Sequence, residues 1–136
     1  MFLFAYDPKF KKSLPYYDRF PLVLPVDEAD GGFVGLNMHY LPLRQRAVLM
    51  DALYETVSDQ RYNEKTKLRL NYNILKSASK YKAFKPTFKK YLASQVKSRF
   101  LKIEPVEWDI ALFLPLQKFE KASMAKVHKD SLGALQ

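Results

Sequence analysis

The fold is decided by an apolar stretch near the N-terminus, Phe20-Pro-Leu-Val-Leu-Pro-Val-Asp-Glu-Ala-Asp-Gly-Gly-Phe-Val-Gly-Leu-Asn-Met38. Two apolar runs separated by an acidic turn with two glycines predict a β-hairpin, with residues 27–32 as its loop. Pro21 and Pro25 have no N–H to donate, so the first run is expected at a sheet edge or as an irregular extended segment. Gly35 in the second run predicts a bulge or a close approach of two backbones.

Around the hairpin, residues 2–6 predict a short aromatic strand, which the Asp7-Pro8 pair ends. On the other side, Pro42 stands at a plausible first position of a helix. From there apolar residues recur every three or four positions through Val57, which predicts an amphipathic helix. Arg46 is expected on the polar face of this helix, together with Arg44, Gln45, Asp51 and Glu55.

The rest of the chain predicts more helix and two more strands. A helix is expected from about residue 71 to 84, and another from Pro86 to Val96. Residues 99–104 and Trp108–Leu114 are expected to be strands, and 116–132 a charged amphipathic helix. The sequence therefore predicts a single α+β domain with short antiparallel strands. Its expected parts are strand-rich segments 1–41 and 99–115, a helical segment 42–98 and a helical tail 116–136.

The residue types and their spacing argue against several kinds of catalytic and metal-binding site. The chain has no cysteine, which excludes disulfides, thiolate metal sites and thiol nucleophiles. Its two histidines, His39 and His128, match no metal motif, and a hydrogen-bonded structural role is expected for His39. No phosphate-binding glycine loop is present either. We therefore expect a protein without cofactor, bound metal, small-molecule substrate or enzymatic activity.

Membrane and export signals are also lacking. The start, Met1-Phe-Leu-Phe-Ala-Tyr-Asp7, has no basic region and meets an acidic residue early, unlike a signal peptide. The longest later apolar run, Ile110 to Leu116, is interrupted by Pro115 and is far shorter than the roughly 20 residues of a membrane span. The expectation is a protein that stays in the cytoplasm, or is assembled into a particle there, without a membrane partner.

The charge is concentrated in one segment. Residues 60–102 hold thirteen Lys and Arg side chains against one acid, Glu64, whereas the whole chain carries +9. This distribution indicates a polyanionic partner or an acidic protein surface. Aromatic residues are interleaved with the lysines, as in proteins that neutralise phosphates and stack bases. The alternative is a solvated lysine face over core aromatics. The candidate binding residues are Lys76, Lys80, Lys82, Lys85, Lys89, Lys90, Lys97 and Arg99.

Prolines beside large apolar residues indicate a second kind of surface. Segments of this type are extended and poor in backbone hydrogen bonds, and they often dock into partner proteins. They also protect sheet edges. The candidate docking residues are Tyr16, Tyr17, Phe20 and Tyr40.

Two segments and a third that follows them resemble a known family. They are Leu14-Pro-Tyr-Tyr-Asp-Arg-Phe-Pro-Leu-Val-Leu-Pro-Val26, Gly32-Phe-Val-Gly-Leu-Asn-Met-His-Tyr-Leu-Pro42 and Arg46-Ala-Val-Leu-Met-Asp-Ala-Leu-Tyr54. They resemble a small family of contractile-tailed bacteriophages related to the T-even group, whose members are described as virion structural proteins or DNA end protectors. The resemblance implies a non-enzymatic virion component of the tail, baseplate or neck.

Three hypotheses follow. The first is a structural or assembly protein of a tailed-phage virion that docks on other virion proteins. The second is a nucleic-acid-binding protein, acting on DNA ends through residues 60–102. The third is a metal-dependent nuclease. It would use the acids Asp18, Asp27, Glu28 and Asp30, or the group Glu104, Glu107 and Asp109 together with Lys102, whose spacing matches no known cluster closely.

Overall fold

The computed structural model describes residues 1–63, 65–67, 69–70, 73 and 87–133. The strands are β1 (Phe2–Leu3), β2 (Tyr17–Asp18), β3 (Leu22–Ala29), β4 (Gly32–Asn37), β5 (Phe88–Leu92), β6 (Leu101–Lys102) and β7 (Phe119–Glu120). The helices are α1 (Leu43–Ser58), α2 (Trp108–Phe113) and α3 (Met124–Gly133), with 3-10 turns at Met38–Tyr40, Ala93–Gln95 and Pro105–Glu107. The fold class is α+β, which confirms the prediction.

The predicted hairpin forms the centre of a five-stranded antiparallel sheet in the order β5-β4-β3-β1-β6. Its loop is shorter than the predicted six residues, because β3 continues to Ala29 and β4 begins at Gly32. Only Asp30 and Gly31 remain as the turn. Gly31 has a φ of 76°, a conformation that glycine adopts without steric cost. A second sheet pairs β2 with β7.

The two prolines of the first run do not place this segment at an edge, because Pro21 precedes β3 and β3, which contains Pro25, lies between β4 and β1. The physical reason is that β1 pairs only with Leu22 and Val23, so Pro25 has β4 alone as its neighbour. The register shifts between Pro25 and Asp27, opposite Gly35. A Cβ at position 35 would overlap the Val23 side chain, so the predicted bulge and close approach are both found here.

The sheet buries different residues on its two faces. Leu22, Leu24 and Leu36 belong to the main core, which also contains Leu49 of α1 and Trp108 of α2. The alternate residue of β3, Val23, belongs to a second cluster, as the period of two in a strand requires. The other buried members of that cluster are Phe4, Tyr6 and Tyr91.

The predicted secondary structure is wrong for two elements. Residues 88–92 form strand β5 rather than part of a helix, and they pair along β4 from Gly32 to Leu36. Glycine at 32 permits this pairing, since a Cβ there would overlap the carbonyl oxygen of Tyr91. Residues 108–113 form helix α2 rather than a strand, because a 3-10 turn from Pro105 leads into it. Its buried residues, Trp108, Ala111 and Leu112, have helical spacing.

Other predicted elements are shorter than expected. The strand over 2–6 is regular only at Phe2–Leu3, with an isolated bridge at Tyr6, and the strand over 99–104 only at Leu101–Lys102. The C-terminal helix begins at Met124, since β7 precedes it. Of the helix predicted over 71–84, only residue 73 is among the described residues, and it is helical. The single-domain organisation stays a prediction.

Helix α1 is confirmed, but Arg46 does not lie on its polar face. This side chain is 1% exposed. Its Nε donates to the carbonyl of Leu41 at 2.7 Å, and its guanidinium nitrogens donate to the carbonyls of Leu112 at 2.5 Å and His39 at 3.3 Å. Burial lowers the pKa of Arg46 to about 10. Arg46 therefore joins α1 to α2 and to the 3-10 turn.

Candidate nucleic-acid interface

A pocket of about 450 Å³ opens between the end of the sheet, the loop after β1 and strand β2. Five tyrosines line it, and we call it the tyrosine pocket. Tyr6, Tyr40 and Tyr91 are buried, whereas Tyr16 and Tyr17 are half-buried. The complete lining is Tyr6, Pro8, Lys9, Phe10, Leu14, Tyr16, Tyr17, Asp18, Asn37, Tyr40, Lys89, Lys90, Tyr91 and Leu92.

The tyrosine rings hold each other in place. Tyr91 lies edge-on to Tyr6, with ring centroids 5.0 Å apart, and Tyr40 lies edge-on to Phe119 at 5.2 Å. Such edge-to-face pairs are a favoured aromatic arrangement. Burial raises the pKa values of Tyr6, Tyr40 and Tyr91, so their hydroxyl groups are neutral near pH 7. The aromatic lining therefore carries no negative charge.

Lys89 places a cation at this lining. Strand β5 holds its ammonium 4.4 Å from the centroid of the Tyr40 ring, in a cation–π contact. The side chain is half-buried, and its partial burial lowers the pKa of Lys89. Within the described part of the chain, this ammonium forms no ion pair with a carboxylate. A half-buried cation without such a partner favours an anionic ligand, because removing a charge from water is costly unless the charge is paired.

The loop after β1 supplies another cation at the rim. Lys9 lies over the ring of Phe10, 5.5 Å from its centroid. This loop is anchored by Lys121, whose ammonium donates to the carbonyls of Lys12 at 3.3 Å and Leu14 at 2.9 Å. Lys9 is therefore presented by an anchored loop.

Asp18 lies at the floor of the pocket with its carboxylate fully engaged. One oxygen accepts from the backbone N–H groups of Phe20 and Lys118, both at 3.0 Å. The other accepts from Asn37 Nδ2 at 3.1 Å and His39 Nδ1 at 2.7 Å. Burial alone would raise the pKa of Asp18, but these hydrogen bonds, led by that of His39, hold it below its ordinary value. The carboxylate is thus ionised and compensated within the protein.

A second pocket of about 510 Å³ adjoins the first and shares Tyr6 and Tyr17 with it. We call it the basic groove, and its lining is Ala5, Tyr6, Asp7, Lys11, Tyr17, Arg19, Lys97 and Glu120. Lys11 is paired with Asp7 at 3.0 Å and Arg19 with Glu120 at 2.7 Å. Together the two pockets are lined by six cations and three carboxylates. The combined surface is positively charged.

The predicted binding residues are only partly brought together. Lys89 and Lys90 line the tyrosine pocket and Lys97 lines the basic groove, whereas Arg99 is exposed outside both. Lys76, Lys80, Lys82 and Lys85 lie outside the described residues. Sequence reasoning did not include Lys9 among the candidate binding residues. The signal that would have found it is the alternation Lys9-Phe10-Lys11, in which an aromatic residue sits among lysines.

The predicted docking residues also divide. Tyr16, Tyr17 and Tyr40 meet at the tyrosine pocket. Phe20 instead packs against the main core. Tyr40 is only 4% exposed, so it is not the protruding side chain that docking onto a flat partner surface requires. Three of these residues therefore belong to a pocket, next to the lysines of β5.

The other candidate sites are not assembled. Among the residues that the structure describes, no group of three or more His, Asp or Glu side chains is placed to hold a metal ion. His39 is fully buried against Asp18, and His128 Nε2 donates to the His39 carbonyl at 2.9 Å. Both histidines thus have hydrogen-bonding roles. In the same described part of the chain, no helix has the length and apolar character to cross a membrane.

Fold and site together define a small α+β protein with a cationic, aromatic-lined pocket at one end of its main sheet. Comparison with known families shows a match to the family described as phage T4 terminal DNA protecting protein, over residues 1–130. The chain belongs to this family. Comparisons with curated proteins and with solved structures return no match.

Family membership confirms the resemblance to a phage family and favours the DNA-end alternative over the structural role. The family description names the termini of DNA, whereas the sequence analysis favoured a structural protein of the tail, baseplate or neck. The DNA-end alternative is therefore the better supported reading. The description also names protection rather than a reaction.

Proposed function

We propose that this protein binds the ends of duplex DNA and shields them from degradation. The observation that carries the proposal is the family match over residues 1–130, whose description names terminal DNA. Charge alone would not distinguish DNA from an acidic protein, because both are recognised by the same cations. The family description supports DNA as the partner.

The positive surface supports the same function. Lys89, Lys90 and Lys9 line one pocket and Lys11 and Lys97 line the adjoining one, so five lysines surround two neighbouring concave regions. Lysine is suited to phosphate contacts, which position a protein on DNA without reading its sequence. A protein that acts on every DNA end needs this kind of recognition. Protection then requires no chemistry, since a protein seated on the terminus blocks it sterically.

The test is binding of the whole protein to a short, fluorescently labelled linear duplex, followed by anisotropy over a series of salt concentrations. The logarithm of the association constant should fall linearly with the logarithm of salt concentration, with a slope equivalent to several phosphates. An unlabelled linear competitor should displace the probe at lower nucleotide concentration than a closed circle of the same sequence. Equal competition by circle and linear DNA would contradict end recognition, and no binding at low salt would contradict DNA binding.

Docking on other virion proteins is a second candidate, favoured by one specific feature. An apolar groove of about 370 Å³ runs between the start of α1, the end of α2 and the start of α3. Leu43, Phe113, Leu114 and Met124 line it, and each is more than 40% exposed. Clusters of exposed apolar residues often mark protein contacts. This candidate predicts stoichiometric copies of the protein in purified particles, and their absence by mass spectrometry would contradict it.

A further inference from the structure

We propose that the tyrosine pocket holds one unpaired nucleotide at a DNA strand end, with its base against the tyrosine rings and its phosphate facing Lys89. This inference rests on the proposed function and adds the part of the DNA end that is recognised. It is argued from the size, lining and charge of the pocket.

The pocket has the size of a single-nucleotide site. Its volume of about 450 Å³ lies in the range of small-molecule pockets, about 300–1,000 Å³. The basic groove, which adjoins it at Tyr6 and Tyr17, offers a path for the neighbouring phosphate backbone. One nucleotide therefore fits inside while the rest of the strand remains outside.

The lining is suited to a base. The half-buried Tyr16 packs against the buried Tyr40, with ring centroids 6.2 Å apart and planes that differ by 36°, so the Tyr16 ring is held in place at the pocket. Tyr16 and Tyr17 are half-buried and so keep part of their surface free for a ligand. Aromatic side chains stack on any base, because every base has a π face. The pocket would therefore accept a strand end of any sequence.

The charges are suited to a phosphate. Lys89 has no carboxylate partner within the described residues, so an anion at the pocket would compensate its charge. Asp18 is the one carboxylate of the lining, and it already accepts four hydrogen bonds from the protein. Lys9 and Lys90 add positive charge around the pocket.

A pocket of this kind distinguishes DNA ends from interior DNA by the free energy needed to bring a base out of the duplex and into the pocket. Taking a base out of an intact duplex costs a few kcal/mol in lost pairing and stacking, and the cost is least for a base that is already unpaired. A frayed or overhanging base at a terminus is therefore the easiest base to capture. End preference then follows from the accessibility of the base.

The experiment uses DNA hairpins, which have one open end. One hairpin is blunt, one carries a single overhanging thymidine, and one carries an abasic residue with the same phosphate. A dumbbell closed at both ends serves as the DNA without an end. Affinities for the whole protein are compared by competition anisotropy at one salt concentration. We expect the thymidine overhang to bind at least about fivefold more tightly than the abasic overhang, as base–aromatic stacking predicts.

Two matched variant pairs assign this preference to the pocket. Tyr17→Ala should abolish the difference between thymidine and abasic overhangs, whereas Tyr62→Ala, which changes an exposed tyrosine outside the pocket, should preserve it. Lys89→Met should weaken both overhangs alike, whereas Lys102→Met should not. Lys102 is an exposed lysine on β6, at the opposite edge of the sheet.

The outcomes separate this inference from the proposed function. Equal affinity of the native protein for thymidine and abasic overhangs would overturn the nucleotide pocket, and this comparison needs no variant to fold. If both overhangs still bind more tightly than the dumbbell, end recognition stands and only the pocket is refuted. Equal affinity for the hairpins and the dumbbell would refute both proposals.

Discussion

At the residue scale, the candidate site contains two charged side chains that differ in how their charges are compensated, the buried Asp18 and the half-buried Lys89. Asp18 is 4% exposed and is satisfied by four donors, so it holds the floor of the tyrosine pocket together. Lys89 has only an aromatic ring as its partner within the described residues. The first arrangement is complete in the protein alone, whereas an anion would complete the second. We therefore propose a structural role for Asp18 and a binding role for Lys89.

Asp18→Asn tests the structural role. Because the pKa of Asp18 is lowered in the folded protein, its contribution to stability is present above about pH 4 and is lost as the pH falls toward the folded-state pKa. At pH 7 the variant should lose about 1–3 kcal/mol of unfolding free energy, because the new amide cannot accept all four hydrogen bonds. Urea unfolding at pH 7 and pH 3 measures this. The exposed Asp51→Asn is the control, and an equal loss in Asp18→Asn at both pH values would contradict the assignment.

Gly32→Ala tests the close approach of β4 and β5. An added Cβ would overlap the Tyr91 carbonyl, so β5 must move away from β4. Thermal unfolding should show a loss of roughly 1–3 kcal/mol of unfolding free energy or more, as is typical of overpacking. Gly133→Ala is the matched control, since no atom lies within 4 Å of a Cβ added there. Equal stability of the two variants would show that the strands tolerate the side chain.

At the element scale, β5 and α2 show where sequence periodicity is insufficient. Phe88 and Leu92 have helical spacing, yet this segment is extended because Gly32 admits its backbone beside β4. Trp108 to Phe113 resembles a buried strand because it is almost wholly apolar, yet Ile110 is 65% exposed in α2. The type of each element is decided by a neighbour distant in sequence or by the turn before it. Such short segments cannot be assigned from their own residues.

A binding role for the lysines of β5 predicts that replacing them changes the salt dependence of DNA binding, whereas a purely structural role predicts no such change. The double variant Lys89→Gln, Lys90→Gln should reduce the salt dependence of duplex binding by about two phosphate equivalents, because each phosphate contact contributes about one. Anisotropy titrations over a salt series measure the slope. Lys102→Gln on β6 should leave the slope unchanged. An unchanged slope in the β5 variant would remove this strand from the interface.

Helix α3 is joined to the 3-10 turn at Met38–Tyr40 by a hydrogen bond from a titratable side chain, His128. Burial lowers the pKa of His128, whose ring donates to the His39 carbonyl. The stability that neutral His128 contributes is therefore present above the ordinary histidine pKa of about 6.5 and falls as the pH drops below it. His128→Gln keeps a donor but does not titrate, so its urea midpoint should change less between pH 7.5 and 5.5 than that of the native protein. The same change in both would contradict this role.

At the scale of the whole molecule, the candidate site contains lysines that the sequence singled out and one that it did not. Of the lysines proposed from residues 60–102, Lys89 and Lys90 line the tyrosine pocket and Lys97 lines the basic groove, and their binding role stays a prediction. Lys9 was not proposed, because only the fold brings the loop after β1 to the same pocket as β5. The hairpin and α1 were predictable, since their periodic patterns are long and local. The tyrosine pocket was not, because its rings come from four separate segments.

The measurement that tests the central claim most directly is nuclease digestion of a labelled linear duplex in the presence of the protein. The account predicts that digestion by an exonuclease is blocked at protein concentrations that leave cleavage by a restriction endonuclease at an internal site unaffected. Only a protein seated on the terminus produces this difference. Unimpeded exonuclease digestion, or equal inhibition of both nucleases, would contradict the claim that this protein protects DNA ends.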